Sequence, residues 1–436
     1  MTTKSTRNAG RTSKTALALA LLSASATASA GGLLLYETAT DDVGLASAGY
    51  SARAQDASTV LTNPAGMSRL EGTQTLVGAQ LLYGDINFSM DHSANQASGG
   101  DGGNPIGLFP GASAFVTHSV SDDVTLGMGM AGNFGLTEEY DSSWAGRYYG
   151  QKVTLIGASL LPSLSYKVND KLSLGATVNA MYGILQMKTA VNNIDPAYAD
   201  GQLKIKDETW GVGGNLGLMY AFTPATRVGL TYNSQVNLDF EARLKFSGIA
   251  PVLNGVLNNR GLQDANTKVN IKVPQGVMAS LFHQVNDDWA VLGSAGWQQW
   301  SKFGMVELTV DSNDPKSATT QLNFKDTWHA GLGAQYRFKP DWLLNFGMAY
   351  DSKYISGNTP TPLLPTNEGW RFGAGVDNQV SKSFSWGASA EYLYGGTQNL
   401  NVSSKLPVAA GGRGDLNGSY NNEQMLFISA NARWAF

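Results

Sequence analysis

Imidazole and thiol are the side chains most often used to bind metals or move protons. This chain has four of the first (His92, His118, His283 and His329) and none of the second. A hydrolytic centre needs a Ser or Asp nucleophile beside one of those histidines. No motif joins any of the four to such a partner, and His92 sits in a Gly/Ser-rich stretch. No two of them stand at a metal-ligand spacing. The sequence therefore predicts no enzyme, no metal and no cofactor. The ionisable residues that do form a pattern are His329, Arg337, Asp351, Arg371 and Glu391, each opposite in phase to a run of apolar residues. Groups so placed suit two tasks: holding the polar head of an amphiphile, or tying an interior together as a structural network. Arg337 lies beside a turn, which suits closing a rim. Lys325, at a strand start, would meet a carboxylate cargo or make a rim salt bridge.

The segments that carry these residues alternate apolar with small or polar positions. Leu172, Leu174, Ala176 and Val178 share one face, and Ser173, Gly175, Thr177 and Asn179 the other. Trp210, Val212, Gly214, Leu216, Leu218, Tyr220 and Phe222 make another such face. Period two is the period of a strand. Fourteen segments are expected, near 74–90, 111–120, 123–136, 151–168, 171–189, 206–222, 225–247, 268–285, 288–310, 324–338, 341–355, 368–380, 383–397 and 422–436. Two-residue links such as Asn169-Asp170 and Asn286-Asp287 alternate with long ones such as 91–110 and 248–267. Short turns at one rim and long loops at the other mark an outer-membrane barrel, and an even count puts both termini at the periplasmic, short-turn rim. Trp289, Trp342, Trp370, Trp386 and Trp434 fall near segment ends, where interfacial girdles lie. The expected fold is all-β: a transmembrane antiparallel β-barrel of about fourteen strands over residues 73–436. A secreted soluble sandwich is the competing reading.

Composition agrees. Of 436 residues only 15% are charged, against roughly 25% in a soluble domain, and 51 are glycine. The small acidic excess carries no nucleic-acid signature. Lys4, Arg7, Arg11 and Lys14 precede an apolar run from Ala16 to Leu22 and the small-residue tail Ala28-Ser29-Ala30, the order of a secretory signal peptide cleaved before Gly31. Its loss leaves 26 basic against 34 acidic residues and moves the net charge from −4 to −8. No later stretch reaches the ~20 continuous apolar residues of a membrane helix.

Residues 31–72 lack sustained alternation. Starting from the periplasmic rim, this segment is expected to fold back as a hatch filling a lumen that fourteen strands would leave open; a disordered tail is the alternative. Leu33, Leu34, Leu35, Tyr36, Val60 and Leu61 need burial, and Asn63-Pro64-Ala65-Gly66 reads as a tight, rigid turn.

That Asn63-Pro64-Ala65 turn behind a signal peptide resembles the hatch of the FadL family of outer-membrane transporters for long-chain fatty acids and other hydrophobic compounds. Further similarities run in family order: Tyr166 to Gly175, Trp210 to Gly217, Thr223 to Leu230, Val273-Pro274, His283-Gln284, Phe324 to Trp328 and Gly347 to Asp351. They cover essentially the whole mature chain, and their ordered set is specific where no single motif is. The resemblance implies a hatch-plugged barrel in the outer membrane of a Gram-negative bacterium, acting as a monomer among outer-membrane lipid and lipopolysaccharide. It implies capture of a fatty acid, alkane or aromatic hydrocarbon at outer loops, a lumenal pocket, and sideways release through a third-strand kink. The third strand carries glycines enough for a bulge, and the kink is expected at Gly132, Asn133, Phe134 and Gly135. By composition alone these are equally the residues of an ordinary glycine-rich strand.

The same resemblance makes Gly31 to Leu35 the moving part and Asp351 an acidic pocket position. His329 stands where the family commonly has an arginine, a departure from a fatty-acid head-group site. Apolar loop residues supply the expected capture surface. Phe109 lies with Ile106, Leu108 and Pro110 in the first long loop. Leu253 and Leu257 lie with Ile249, Val252 and Val256 in the fourth, spaced for a short amphipathic helix, and Leu363 and Leu364 in a Pro-flanked segment. The candidate substrate-binding residues are thus Leu33, Leu34, Leu35, Phe109, Leu253, Leu257, Lys325, His329, Asp351 and Arg371. A diffusion porin and an outer-membrane lipid hydrolase are the rival functions.

Overall fold

The computed structural model describes residues 36–92, 95–303, 305–313, 316–321, 324–355, 357, 361–363, 368–404 and 406–436. Among them fourteen antiparallel strands close a barrel. The wall runs through β1 (Thr73–Asp91), β2 (Gly107–Ser119), β3 (Val124–Glu139), β4 (Lys152–Lys167), β5 (Leu172–Val191), β6 (Gly201–Thr223) and β7 (Thr226–Asn233). The strands β8 (Val236–Arg243) and β10 (Asn266–Val273) stand apart from it, and the short β9 (Lys245–Ser247) pairs only with the outer end of β6. The wall resumes at β11 (Gly276–Gln284) and β12 (Trp289–Gln298), leaves out β13 (Met305–Val310) and β14 (Lys316–Gln321), and continues through β15 (Thr327–Lys339), β16 (Trp342–Asp351), β17 (Gly369–Ser381), β18 (Phe384–Val402) and β19 (Leu416–Ala435). Leu172 of β5 lies opposite Tyr220 of β6, and Gln74 of β1 opposite Ala435 of β19, which closes the ring.

Two of the short turns owe their shape to asparagine. Asn169 Oδ1 accepts from the N–H groups of Lys171 and Leu172 at 2.9 and 3.0 Å, and Asn286 Oδ1 does the same for Asp288 and Trp289 at 3.0 and 2.9 Å. Such side-chain turns spare the chain a longer loop. Outward residues such as Val212 and Leu332 are 70% and 67% exposed, and lipid is their solvent. Aromatic pairs line both rims: Trp289 stacks on Tyr336 at 4.4 Å and Trp342 meets Trp386 at 5.9 Å at the short-turn rim, while Tyr182 and Trp210 pair at 5.1 Å toward the other.

Residues 36–54 are buried without exception inside the ring. The helical turn α1 (Thr59–Thr62) and a 3-10 helix (Pro64–Arg69) complete the plug. Inward glycines of the wall make its bed. A methyl group at Gly229 would overlap Ser51 O, and one at Gly347 would overlap the backbone of Leu45; Gly175 and Gly217 take the Asn63-Pro64-Ala65 turn in the same way. Part of the glycine excess is therefore room for one backbone to lie directly on another.

Outside the membrane, α2 (Pro251–Asn259) forms the short helix expected of the fourth long loop. Phe109, expected in the first long loop, instead lies on β2, which starts four residues earlier than the alternation suggested.

The largest difference concerns the strands expected at 225–247, 268–285, 288–310 and 324–338. The first three are broken, and their outer halves β8, β10 and β13 form a separate four-stranded sheet with β14, which lies in the link expected before the fourth. Pro274 has no N–H for a ladder and restricts its predecessor. Ser234-Gln235 and the helical turn α3 (Trp300–Phe303) interrupt two others. Glutamines bridge the break: Tyr232 Oη donates to Gln275 Oε1 at 2.7 Å and Gln275 Nε2 to Gln299 Oε1 at 2.8 Å. Val236, Leu238 and Phe240 of β8 turn inward and pack with Leu155 of β4 and Met181 and Leu185 of β5. Period two survives on both sides of such a break, so alternation cannot reveal it.

Candidate functional site

Strands β15 to β18 each direct one ionisable side chain into the lumen at nearly the same height, and the four meet. His329 Nδ1 lies 2.8 Å from Asp351 Oδ1, Arg371 Nε donates to Asp351 Oδ2 at 2.5 Å, and Arg371 Nη1 donates to Glu391 Oε1 at 2.9 Å. The hatch supplies a fifth member, Glu37, which accepts from Arg371 Nη1. The sequence pointed to four of these five; Glu37 carried no periodic signal. One guanidinium faces three carboxyl groups. His329 Nε2, Glu37 Oε2 and Glu391 Oε2 are buried without a hydrogen-bond partner. Arg337 is not part of the cluster: it donates to Pro340 O at 3.0 Å at the short-turn rim. Lys325 is exposed and likewise lies apart.

Tyr36 joins this cluster to a cavity. Its ring packs on His329 with centroids 4.8 Å apart, and its hydroxyl accepts from Gln298 Nε2 at 2.5 Å. Gln298 Oε1 in turn accepts from Trp300 Nε1 at 2.7 Å. Tyr36, Tyr50, Asn133, Asn179, Asn233 and Gln298 are among the residues that line a lumenal cavity of about 60 Å³. That holds a water or two, whereas a benzene-sized ligand occupies a cavity of roughly 150 Å³. A ligand of that size does not fit this cavity as it stands. Leu33, Leu34 and Leu35, directly before Tyr36, lie outside the described residues.

Asn133 of β3 lines the same cavity. Opposite β4, Gly132 faces Ala158 and Phe134 faces Gly157, so Asn133 is an extra residue in a bulge. On its other side β3 loses its neighbour: pairing with β2 ends at Ser113 opposite Ala131, although both strands continue outward. Pro110, lacking an N–H, sits in the unaccompanied part of β2. Phe134 is buried and meets Phe303 of α3 at 6.1 Å, and Phe303 meets Trp300 at 5.3 Å. Aromatic contacts thus run from the bulge to the Gln298–Tyr36 pair.

Two apolar clusters fill the outer lumen. One packs Phe134 with the inward-turned sheet, α3, Phe324 and Tyr354, with Leu363 at its edge; the other gathers Leu82, Phe88, Trp144, Leu400, Tyr420 and Phe427, with Phe109 partly buried against it. Within the second, Glu138 and Glu423 are buried and no atom of either carboxyl has a hydrogen-bond partner. On α2, Leu257 is buried and Leu253 partly so, while Val252 and Val256 face out. Leu364 lies outside the described residues.

The hatch is pinned at its turn and at its base. Asn63 Nδ2 donates to Ser51 O at 2.6 Å and to Leu218 O at 3.1 Å, and its Oδ1 accepts from Ala65 N at 3.0 Å. Pro64 opens the 3-10 helix, where a missing N–H costs nothing. Arg53 pairs with Asp41 and Asp42 at 3.1 and 3.2 Å, and Arg433 of the wall pairs with Asp41 at 2.9 Å and with Asp377. Asp41, Asp42 and Arg53 did not stand out in the sequence, because a lone charge in a coil segment has no phase.

A family model described as outer membrane protein transport protein (OMPP1/FadL/TodX) matches residues 21–436. The chain is 30% identical to outer membrane protein P1 of Haemophilus influenzae, over 87% of this chain and 89% of that one. It is 26% identical to a long-chain fatty acid transport protein of Escherichia coli, over 88% and 91% respectively. Among solved structures, a Pseudomonas aeruginosa FadL homologue superposes with a TM-score of 0.82 at 20% identity, covering 93% of this chain and all of that one. The Pseudomonas putida toluene transporter TodX superposes with a TM-score of 0.65 at 18% identity, covering 91% and 99%. Match and barrel agree: the chain belongs to the OMPP1/FadL/TodX family of outer-membrane proteins that transport hydrophobic compounds.

Proposed function

We propose that this protein carries uncharged apolar compounds, hydrocarbons before fatty-acid anions, from the cell exterior into the outer-membrane bilayer. Cargo is captured against the exposed face of α2 and the outer loops and passes through the apolar clusters of the outer lumen. It lodges beside Tyr36 and leaves sideways between β2 and β3. The observation that carries the reading is the end of β2–β3 pairing at Ser113 and Ala131, next to the bulge at Asn133 that lines the cavity. Burial of each methylene is worth roughly 0.8 kcal/mol, so a sixteen-carbon chain gains on the order of 10 kcal/mol from such a path. A route into the bilayer never returns the cargo to water.

Charge selects the cargo class. Arg371 already has three carboxylate partners. A fatty-acid anion finds no free guanidinium at this level. The relative named as a fatty acid transporter supports the long-chain alternative, and the one named as a toluene transporter supports the hydrocarbon reading. A diffusion porin would need neither a hatch nor an apolar lumen. Residues 1–30 act as the export leader and 31–72 as the hatch, so the mature protein should begin at Gly31.

The test is growth of a deletion strain, with and without complementation, on an alkane, an aromatic hydrocarbon or a long-chain fatty acid as sole carbon source. A selective defect on one apolar class is expected. Unchanged uptake of all three would end the transport reading.

A further inference from the structure

We propose that the wall holds a second lateral passage, between the outer part of β6 and the start of β8, through which apolar cargo crosses between the inner cavity and the bilayer. It rests on the reading of the protein as a carrier of apolar compounds. Pairing of β6 with β7 runs outward only as far as Asn215 opposite Asn233. Beyond that point β8 pairs with β10 instead, and β6 regains a partner on that side only at Gln202–Lys204, opposite β9. Residues 205–213 of β6, all described, therefore present an edge without a ladder. Its inner end lies just beneath the Tyr182–Trp210 pair of the outer girdle. An open edge at membrane depth is tolerated only where it borders protein or a cavity.

Ser234 makes the seal. Ser234 N donates to Gly214 O, and Gly214 N donates to Ser234 Oγ, both at 2.8 Å, with Asn215 alongside. Inside the wall, Asn215 and Ser234 line the cavity beside Tyr36. Outside it, the same two residues line a groove of about 510 Å³ on the lipid face, among Leu164, Val178 and Leu216. A partition one residue thick thus separates the cavity from the bilayer. Nearby, Asn179 Oδ1 and Asn233 Oδ1 are shielded from solvent and have no hydrogen-bond partner, so the amides around the seal are not fully satisfied. The β2–β3 gap opens on the same cavity from β3, through Asn133.

A disulfide would lock this junction. A Cβ at Gly213 would lie against the Val236 side chain, and the chain has no cysteine of its own, so Gly213→Cys with Val236→Cys makes the sole bridge. Transfer of radiolabelled dodecane into liposomes by the full protein is compared before and after reduction. At least threefold slower transfer when oxidised, reversed by reductant, is expected; equal rates overturn the passage. Ser234→Trp, which fills the partition without a bridge, should slow transfer to a similar degree and decides the matter should the double variant fail to fold. If deletion of Asn133 abolishes transfer while the bridged and Ser234→Trp proteins keep the wild-type rate, the second passage is wrong and the proposed function stands. If none of the three changes transfer, both are wrong.

Discussion

Tyr36 of the hatch and His329 of the wall pack with ring centroids 4.8 Å apart and planes inclined at 45°. The contact couples two structures that would otherwise be independent. Tyr36 is a wall of the cavity, and His329 is an arm of the cluster around Arg371. Enlarging the cavity by withdrawing Tyr36 also pulls on Glu37, its neighbour in the chain, which is bound to Arg371. Opening is therefore opposed by a charged network rather than by packing alone.

Removing the guanidinium should expose that opposition. Arg371→Met leaves Glu37, Asp351 and Glu391 facing one another in a site with little water. Breaking a buried pair from one side costs about 3–5 kcal/mol. The hatch should loosen before the barrel does, seen as faster proteolysis after Arg53 with unchanged heat-modifiable migration of the barrel. A hatch as resistant as in the wild type would mean the cluster does not hold it.

Charge selectivity gives the second expectation. Asp351→Asn lowers the negative charge of the cluster by one and keeps the shape of the side chain. Uptake of a fatty-acid anion should rise severalfold relative to that of an alkane of equal length, measured in competition. An unchanged ratio would separate the cluster from cargo choice.

The bulge offers a third. Deleting Asn133 removes the extra residue and lets β3 run straight against β4, while Gly132→Val with Gly135→Val stiffens the same stretch. Both changes should lower cargo transfer by about a third, the share left to the β2–β3 gap when the β6–β8 passage carries the rest, with the barrel still folded in detergent. Full transfer in both proteins would argue against release between β2 and β3.

Seating of the hatch supplies the fourth. Gly347→Val forces a side chain into the space held by the backbone of Leu45. The plug should ride up, and single-channel conductance in a planar bilayer should appear where the wild type has almost none. A silent variant would mean that the wall yields instead.

The sequence carried the barrel because lipid on one face and lumen on the other enforce period two over every wall strand, and Asn-Asp turns mark one rim. It carried His329, Asp351, Arg371 and Glu391 because a charge on the inward phase is conspicuous among small polar neighbours. Glu37 and Arg53 were hidden by the aperiodic hatch, and Gln298 by being an ordinary inward amide. The breaks at Ser234, Pro274 and Trp300 were invisible for a different reason: alternation continues across them while the sheet changes direction. Pro274 was the one local sign, and it stood in view as part of a family motif rather than as the end of a strand.

The plug is synthesised first, yet much of its bed is synthesised last. Leu45 rests on Gly347, Val43 on Gly373 and Asp41 on Arg433, contacts spanning about three to four hundred residues of chain. Such remote partners are slow to find. The leading segment must therefore wait, unseated, while the ribbons are inserted and joined, and settle only when the final strands arrive. Assembly ends where translation began.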